Sequence, residues 1–280
     1  RNLRSVRAWV YRSTMSLFHS SLQVGALTLP NRIIMSPLTR CRAGTGRVPT
    51  ETMLEYYVQR ATAGLILTEA TAVHPMGVGY PDTPGIWSEE QVAAWTKITA
   101  GVHAAGGRIM LQLWHVGSIS DPVYLNGALP VAPSAIAPSG HVSLIRPPKA
   151  HVVPRALELS EITRVVSAYR LGSVNALRAG FDGVEIHGAN GYLVDQFLQD
   201  GTNRRTDQYG GSIENRARFA LEVTDAAISV WGADRVGYHI APRGGSHGIR
   251  DSNPAATFGY LATELGKRNI AFLFARESLS

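Results

Sequence analysis

Short apolar runs alternate with longer amphipathic segments along most of the chain. Six runs have the length and apolar character of strands, and five longer segments have the apolar spacing of helices. The predicted strands are Asn31–Pro37, Gly64–Ala70, Arg108–His115, Asp182–His187, Arg235–Pro242 and Ala271–Glu277. The predicted helices are Thr50–Ala63, Ser88–Ala105, Ser160–Ala179, Ser212–Trp231 and Pro254–Arg268. This alternation predicts a parallel α/β fold with right-handed crossovers.

Local start and stop signals support the predicted helices. Ser88 and Gln91 have the spacing of a capping box, and Ser212 has the residue type of an N-cap. Gly64 follows the first helical segment, where glycine commonly ends a helix.

The predicted strand Asp182–His187 has an unusual polar face. Val184 and Ile186 share one face because side chains alternate along an extended backbone, and Glu185 and His187 share the other. Strands between helices are usually apolar on both faces. Two ionisable groups on one face therefore indicate a functional site, which in a barrel lies at the C-terminal end of the strand, near His187.

The number of repeats is smaller than a closed barrel requires. A TIM (β/α)8 barrel needs eight strands, and only about six β/α units are predicted here. We therefore expect residues 15–280 to form an incomplete barrel domain, as a fragment of a longer protein. The Pro/Gly/Ser-rich stretch 117–154 is too long for an ordinary connection and predicts a lid or excursion.

Charge and composition narrow the possible partners. The net charge is +6, but four arginines lie in residues 1–14, so the rest of the chain carries about +2. This predicts no nucleic-acid partner. No apolar run approaches the ~20 residues of a membrane span, and the lone Cys41 excludes an internal disulfide. We expect a cytoplasmic protein, with residues 1–14 outside the core as a transit peptide or as upstream translated sequence.

A longer motif follows the polar strand. His187-x-x-Asn190-x-Tyr192 stands in HGANGYLVDQFL, which is followed by NRRTDQYGGSIENRAR. The sequence resembles the old yellow enzyme family of FMN-dependent ene-reductases from about Leu17 to about Glu277. The resemblance implies a TIM barrel, FMN as cofactor, NADPH or NADH as reductant and a small-molecule substrate; it leaves the oligomeric state open.

The resemblance also implies a set of flavin-binding residues. Pro37, Thr39, Ala70 and Gln112 match positions that contact the flavin. The Thr39 hydroxyl can donate to a flavin carbonyl, and the Gln112 amide offers a donor and an acceptor to the pyrimidine edge. His239 stands where many family members carry Arg. A neutral histidine would not stabilise a reduced, anionic flavin as an arginine does, although a protonated imidazole could still serve.

The remaining site residues are expected to act on the substrate. His187 and Asn190 match the donors that bind the substrate's carbonyl or nitro oxygen, where charge develops during hydride transfer. Tyr192 matches the proton donor, because a phenol stays protonated at neutral pH. Tyr80 and Trp114 match aromatic residues that shape the substrate pocket.

These observations predict an FMN-dependent oxidoreductase that reduces activated alkenes (α,β-unsaturated carbonyls), or nitro and nitrate-ester compounds, with NAD(P)H. One alternative is an inactive, truncated barrel, since the phosphate-binding loops that follow strands seven and eight of such barrels are not in the chain. Another is a metal-dependent hydrolase built on Glu185, His187 and His239. Arg204 and Arg205 are expected to fix the loop before the next helix, and a buried Glu185 requires a partner that the sequence does not identify.

Overall fold

A curved parallel sheet with six main strands forms the centre of the protein in the computed structural model, which describes residues 17–277. The main strands are β1 (Ile34–Met35), β2 (Leu65–Leu67), β3 (Ile109–Trp114), β4 (Val184–His187), β5 (Val236–Ile240) and β6 (Phe272–Ala275). A seventh, two-residue strand, Thr71–Ala72, also pairs in parallel with β3. Each main strand is parallel to its neighbour, in the order in which they occur along the chain. This confirms the prediction of a TIM-type α/β fold with six β/α units. The predicted extension, residues 1–14, lies outside the described residues.

Six α-helices within residues 17–277 accompany the sheet. They are α1 (Glu51–Val58), α2 (Glu89–Ala104), α3 (Leu159–Arg178), α4 (Leu193–Leu198), α5 (Ile213–Trp231) and α6 (Pro254–Lys267). None of the described helices has the length and apolar character needed to cross a lipid bilayer.

Two helices differ from the prediction. α1 ends at Val58 rather than Ala63, because the following amides make i→i−3 turn bonds: Arg60 N–H donates to Tyr57 at 3.0 Å and Ala61 N–H to Val58 at 3.1 Å. The short helix α4 was not predicted. It has only six residues, LVDQFL, which are too few for a helical repeat of apolar positions to be recognised in the sequence.

The two faces of the central strands have different surroundings, as their alternation predicts. Leu111, Leu113, Val184 and Ile186 face the large apolar core shared with the helices. The alternate residues of β3 and β4 face the barrel interior, where Met110 joins a second, smaller cluster. The polar face of β4 is therefore an interior face.

A β-hairpin that was not predicted covers the amino-terminal end of this interior. Its strands, Leu22–Val24 and Leu27–Leu29, pair antiparallel. Their apolar side chains pack with Leu65, Leu67 and Met110 in the smaller cluster. Because this end is filled, the opposite, carboxyl-terminal end is the one left for a ligand.

The long loop after β3 is held by backbone pairing between two of its own segments and by one arginine from the segment before α5. Val131–Ala132 pairs in parallel with Arg155–Ala156. The Arg205 guanidinium donates to the carbonyls of Pro133 at 3.0 Å and Leu157 at 2.7 Å. This confirms the structural role expected for Arg205.

The capping box of α2 provides a test of helix stability. The Ser88 hydroxyl accepts from the Gln91 N–H at 3.3 Å, and the Gln91 side chain accepts from the Ser88 N–H at 3.1 Å. Ser88→Ala removes the first bond and should lower the free energy of unfolding by about 1 kcal/mol. Urea denaturation followed by circular dichroism measures this change.

Ser167→Ala is the matched control. Ser167 lies on the exposed side of α3, and its hydroxyl donates to the Thr163 carbonyl at 3.0 Å within the same helix. Alanine is the better helix former at such a position, so this variant should be as stable as the wild type or slightly more stable. Equal destabilisation by both substitutions would contradict the capping argument.

Candidate functional site

One cavity of about 560 Å³ lies at the carboxyl-terminal ends of the strands. All ten site residues predicted from the sequence line it: Pro37, Thr39, Ala70, Tyr80, Gln112, Trp114, His187, Asn190, Tyr192 and His239. Four further residues that were not predicted also line it: Ser36, Leu38, Phe274 and Arg276. The structure therefore brings together residues that are separated by more than two hundred positions in the chain.

Strand register aligns the inward-facing side chains in two rows. In the lower row, Gln112 of β3 is paired with Glu185 of β4. In the upper row, His187 of β4 is paired with His239 of β5, and His239 with Phe274 of β6. Residues in register on parallel strands project side by side, so each row forms a continuous strip across the sheet.

The upper row is a series of nearly parallel rings. The ring centroids of Trp114 and His187 are 6.4 Å apart, with an interplanar angle of 18°. Those of His187 and His239 are 5.1 Å apart at 26°, and those of His239 and Phe274 are 4.5 Å apart at 24°. The cavity thus has a ring-lined wall formed by four residues from four neighbouring strands.

Tyr192 stands edge-on to this wall, at the start of α4. Its ring lies 5.0 Å from those of both Trp114 and His187, at 87° and 82°. The Tyr192 and Tyr80 hydroxyls are 2.8 Å apart and share a hydrogen bond. Burial, and then the neighbouring Tyr80, raise the pKa of Tyr192 well above its ordinary value. The phenol therefore stays protonated at neutral pH.

Asn190 has its amide oriented by an arginine that the sequence analysis missed. Arg276 Nη1 donates to Asn190 Oδ1 at 2.8 Å. A guanidinium can only donate, so Oδ1 must face Arg276, and the two N–H groups of Asn190 remain for other partners. The available signal was the position of Arg276 near the C-terminal end of the sixth predicted strand, Ala271–Glu277, where barrel sites form.

Both histidines of the upper row are neutral at pH 7. Burial, and then His239, lower the pKa of His187 well below its ordinary value. Burial, and then the charge of Arg276, lower the pKa of His239 to about 4. His239 is therefore neutral at neutral pH in this structure, and its protonation beside a reduced flavin stays a prediction. The permanent cation at the cavity is on Arg276, one strand away.

Glu185 has the partner that the sequence analysis could not name. Gln112 Nε2 donates to Glu185 Oε1 at 2.6 Å, inside the barrel. Glu185 is fully buried, and burial raises its pKa to about 8 against the smaller, opposite effect of the Gln112 bond. An inward carboxyl group is thus held largely protonated beside a predicted flavin-binding amide.

Comparison with known proteins identifies the family. Residues 16–275 match the NADH:flavin oxidoreductase / NADH oxidase family. The chain belongs to this family. FMN is the family's cofactor, and the resemblance to old yellow enzymes is confirmed.

Three relatives with assigned names are similar over most of this chain. Flavin oxidoreductase hxnT of Emericella nidulans is 45% identical, over 90% of this chain and 66% of its own length. 12-oxophytodienoate reductase 7 of Oryza sativa subsp. japonica is 46% identical, over 87% of this chain and 63% of its own length. A probable flavin mononucleotide-dependent alkene reductase of Leishmania infantum is 45% identical, over 90% of this chain and 71% of its own length. The chain thus spans about two thirds of the length of these curated relatives.

Solved structures are similarly close. The old yellow enzyme homologue of Zymomonas mobilis is 47% identical, with a TM-score of 0.91 over 94% of this chain and 74% of that one. Morphinone reductase in complex with tetrahydroNAD is 49% identical, with a TM-score of 0.89 over 92% of this chain and 73% of that one.

The residues of this NADH:flavin oxidoreductase family member fit the ring system of FMN. Three buried ring nitrogens in the cavity wall have no hydrogen-bond partner among residues 17–277: Trp114 Nε1, His187 Nδ1 and His239 Nε2. Buried polar groups are normally paired, but these three nitrogens are closed off from the open cavity. The cavity itself is lined by the polar side chains of Thr39, Gln112 and Asn190, to which a polar ligand can bond. The volume is within the range of cofactor and small-molecule sites. A flat, polar-edged group such as the isoalloxazine ring meets both conditions.

The alternative of a metal-dependent hydrolase lacks a cluster of metal-binding side chains among the described residues. Among residues 17–277 no group of three His, Cys, Asp or Glu side chains is placed to hold a metal ion. Glu185 is instead bonded to Gln112, and His239 is stacked on Phe274.

A second cavity, of about 670 Å³, adjoins the first beyond Gly191. It is lined largely by the loop after β3 and by residues 247–252. It contains none of the residues predicted from the sequence, because long loops carry no periodicity from which such a cavity could be derived.

The buried Glu185 gives a prediction on pH. Its pKa in the folded protein, about 8, is above the ordinary 4.5. Its contribution to stability is therefore fully present below about pH 4.5 and is lost as pH rises through about 8. Glu185→Gln removes this loss, so its free energy of unfolding should fall less than that of the wild type between about pH 5 and 8. The difference is at most roughly 1.4 kcal/mol per pH unit.

Glu55→Gln is the control for this experiment. Glu55 lies on the exposed side of α1, where its carboxyl group accepts from Gln59 at 3.0 Å. Its substitution should leave the pH profile of denaturant unfolding like that of the wild type. A Glu185→Gln profile that also matches the wild type would refute the assignment of the raised pKa.

Proposed function

We propose that the chain is an FMN-dependent oxidoreductase that uses NADPH or NADH to reduce activated alkenes, mainly α,β-unsaturated carbonyl compounds. The observation that carries this proposal is that His187, Asn190 and Tyr192 line the same cavity as Thr39 and Gln112. Two of the relatives described above are named as reductases of an alkene or of 12-oxophytodienoate. Their names support the substrate class.

The cofactor would be held by residues at the ends of four strands. Thr39 offers a hydroxyl and Gln112 an amide to the polar edge of the ring, while Pro37 and Ala70 provide apolar contact. His239 lies in the same wall and contributes an uncharged imidazole. Bound FMN supplies the hydride that is added to the substrate.

His187 and Asn190 would bind the substrate oxygen. Hydride addition at the β-carbon places negative charge on that oxygen, and fixed donors stabilise the charge where it develops. Asn190 is prepared for this role, because Arg276 occupies its Oδ1 and leaves its N–H groups available. His187 lines the cavity and is almost fully buried, so its interaction with the oxygen is strengthened by the low local dielectric.

Tyr192 would donate the proton to the substrate's α-carbon. Its raised pKa keeps the proton on the phenol until carbanion character develops on the substrate. The hydroxyl of Tyr80, at 2.8 Å and on a half-buried side chain, can relay a proton from solvent to Tyr192 after transfer. Tyr80 and Trp114 also limit the shape of the substrate, since both rings border the same cavity.

The proposal also covers a second substrate class, the extent of the functional unit and its location. Nitro and nitrate-ester compounds present oxygens that the same two donors can bind, so they form a second substrate class. Residues 15–280 are proposed as the functional unit, with a small-molecule partner and a cytoplasmic location. The alternative is that the incomplete barrel is inactive.

The decisive experiment is titration of the purified chain with FMN. Binding should quench flavin fluorescence, and anaerobic addition of NADPH or NADH should bleach the flavin absorption bands. Addition of 2-cyclohexenone should then restore the bands. Absence of binding at high FMN concentration would refute the proposed function, and bleaching without reoxidation by any enone would refute the substrate class.

Tyr192→Phe tests the proton donor. Removal of the hydroxyl should slow reoxidation of the reduced flavin by 2-cyclohexenone by roughly 10²–10⁴-fold, the usual contribution of a general acid. Reduction by NADPH requires no such proton and should proceed at the wild-type rate. Stopped-flow absorbance separates the two half-reactions.

Tyr260→Phe is the matched control for loss of a phenol. Tyr260 lies in α6 and packs on the apolar core, away from the cavity. Both half-reactions should keep their wild-type rates in this variant. A Tyr192→Phe enzyme that is reoxidised as fast as the control would remove Tyr192 from the mechanism.

A further inference from the structure

Three buried polar side chains connect the lower row of the barrel interior with the upper row. Gln112 Nε2 is 2.6 Å from Glu185 Oε1 and 3.5 Å from His239 Nδ1. The first distance is that of a strong hydrogen bond and the second that of a long one. Glu185 is fully buried, and Gln112 and His239 are almost fully buried, so the contacts within the group determine which polar atoms are left for a ligand.

The donor and acceptor assignment follows from these contacts. An amide NH2 group has two N–H donors, and here one faces Glu185 and the other faces His239. The amide oxygen of Gln112 is therefore the atom left for the cavity. Because an N–H points at His239 Nδ1, that nitrogen carries no proton, and the proton of the neutral ring lies on Nε2.

The surroundings of His239 favour the neutral ring. Its faces are stacked against the rings of His187 and Phe274. The charged Arg276 opposes protonation, and no carboxylate among residues 17–277 pairs with His239. His239 Nε2 has no partner among the described residues. It is therefore an N–H donor without a protein partner, buried behind the surface of the cavity.

We propose that Glu185 is a positioning residue that fixes the Gln112 amide and, through it, the tautomer of His239. The cavity wall then presents an acceptor, Gln112 Oε1, to a ligand. The N–H of an imide group is a complementary ligand group. The pyrimidine end of the isoalloxazine ring carries such an N–H. Identification of the ligand as FMN rests on the proposed function; the role of Glu185 does not.

The same arrangement gives a consequence for selectivity. A wall with this polarity accepts the flavin N3–H, so a methyl group on N3 removes a hydrogen bond and occupies its space. If the amide were reversed, with Glu185 donating to the Gln112 oxygen, the wall would offer donors only. The preference for an unmethylated N3 therefore reports the orientation of the Gln112 amide.

The first experiment needs no flavin. Long-range proton–nitrogen NMR spectra of the chain labelled with ¹⁵N-histidine distinguish the two tautomers, and His239→Gln assigns the signal. We expect Nε2-protonated, neutral His239 from pH 6 to pH 8 in the wild type and in Glu185→Gln, whose amide oxygen can still accept from Gln112. Glu185→Leu should populate both tautomers. A wild-type ring protonated on Nδ1, or a tautomer unaffected by Glu185→Leu, would overturn the proposal.

The second experiment measures dissociation constants for FMN and 3-methyl-FMN by fluorescence quenching. The wild type and Glu185→Gln should bind FMN about tenfold more tightly than 3-methyl-FMN, or better, as expected for one buried hydrogen bond. Glu185→Leu should lose most of this ratio. Equal affinity of the wild type for both flavins would overturn the polarity assigned to the wall.

The two experiments separate the two proposals. If the wild type binds neither flavin, the proposed function fails, and the histidine spectra still decide the role of Glu185. If FMN binds with the same preference in all three proteins, the proposed function stands and the positioning role of Glu185 fails. The wild-type tautomer and the wild-type affinity ratio test the polarity even if Glu185→Leu does not fold.

Discussion

The register of the parallel strands is the constraint on which the site depends. It places Glu185 beside Gln112 and His187 beside His239, so that each row of inward side chains becomes one strip. The rows need space as well as alignment. A Cβ atom on Gly237 would collide with the Phe272 ring, so a side chain at that point of the lower row would have to displace this ring. A shift of one residue in any of these strands would turn its polar groups towards the helices.

Burial then determines the chemistry of the aligned groups. The interior removes water from groups that would otherwise be charged near neutral pH, so it keeps His187 and His239 neutral and Glu185 largely protonated. A site built in this way works through directed hydrogen bonds rather than through several fixed charges. Arg276 adds a permanent cation at the edge of the cavity. Its hydrogen bond to Asn190 also orients the amide of this residue, which is proposed to bind the substrate.

The departure from the family pattern at the end of β5 has a structural counterpart. Where many members carry Arg, this chain has His239, and a different cation, Arg276, follows β6 in the same cavity. The neutral ring is stacked on Phe274 and lies near the Gln112 amide. His239 therefore packs against other residues of the barrel interior. The cavity has a neutral ring at the end of β5, and its positive charge lies on Arg276 after β6.

The sequence by itself determined the order of strands and helices and the inward face of β3 and β4, because alternation is a local property of the chain. The predicted site residues came from the resemblance of its motifs to the old yellow enzyme family, and the structure places them around one cavity. The sequence did not reveal the hairpin Leu22–Val24/Leu27–Leu29 or α4, whose periods are too short to recognise. Only the tertiary structure decided the partner of Glu185, the contribution of Arg276 and the neutral state of His239. These depend on strand register and on burial, which bring together residues far apart in the chain and cannot be derived from local pattern.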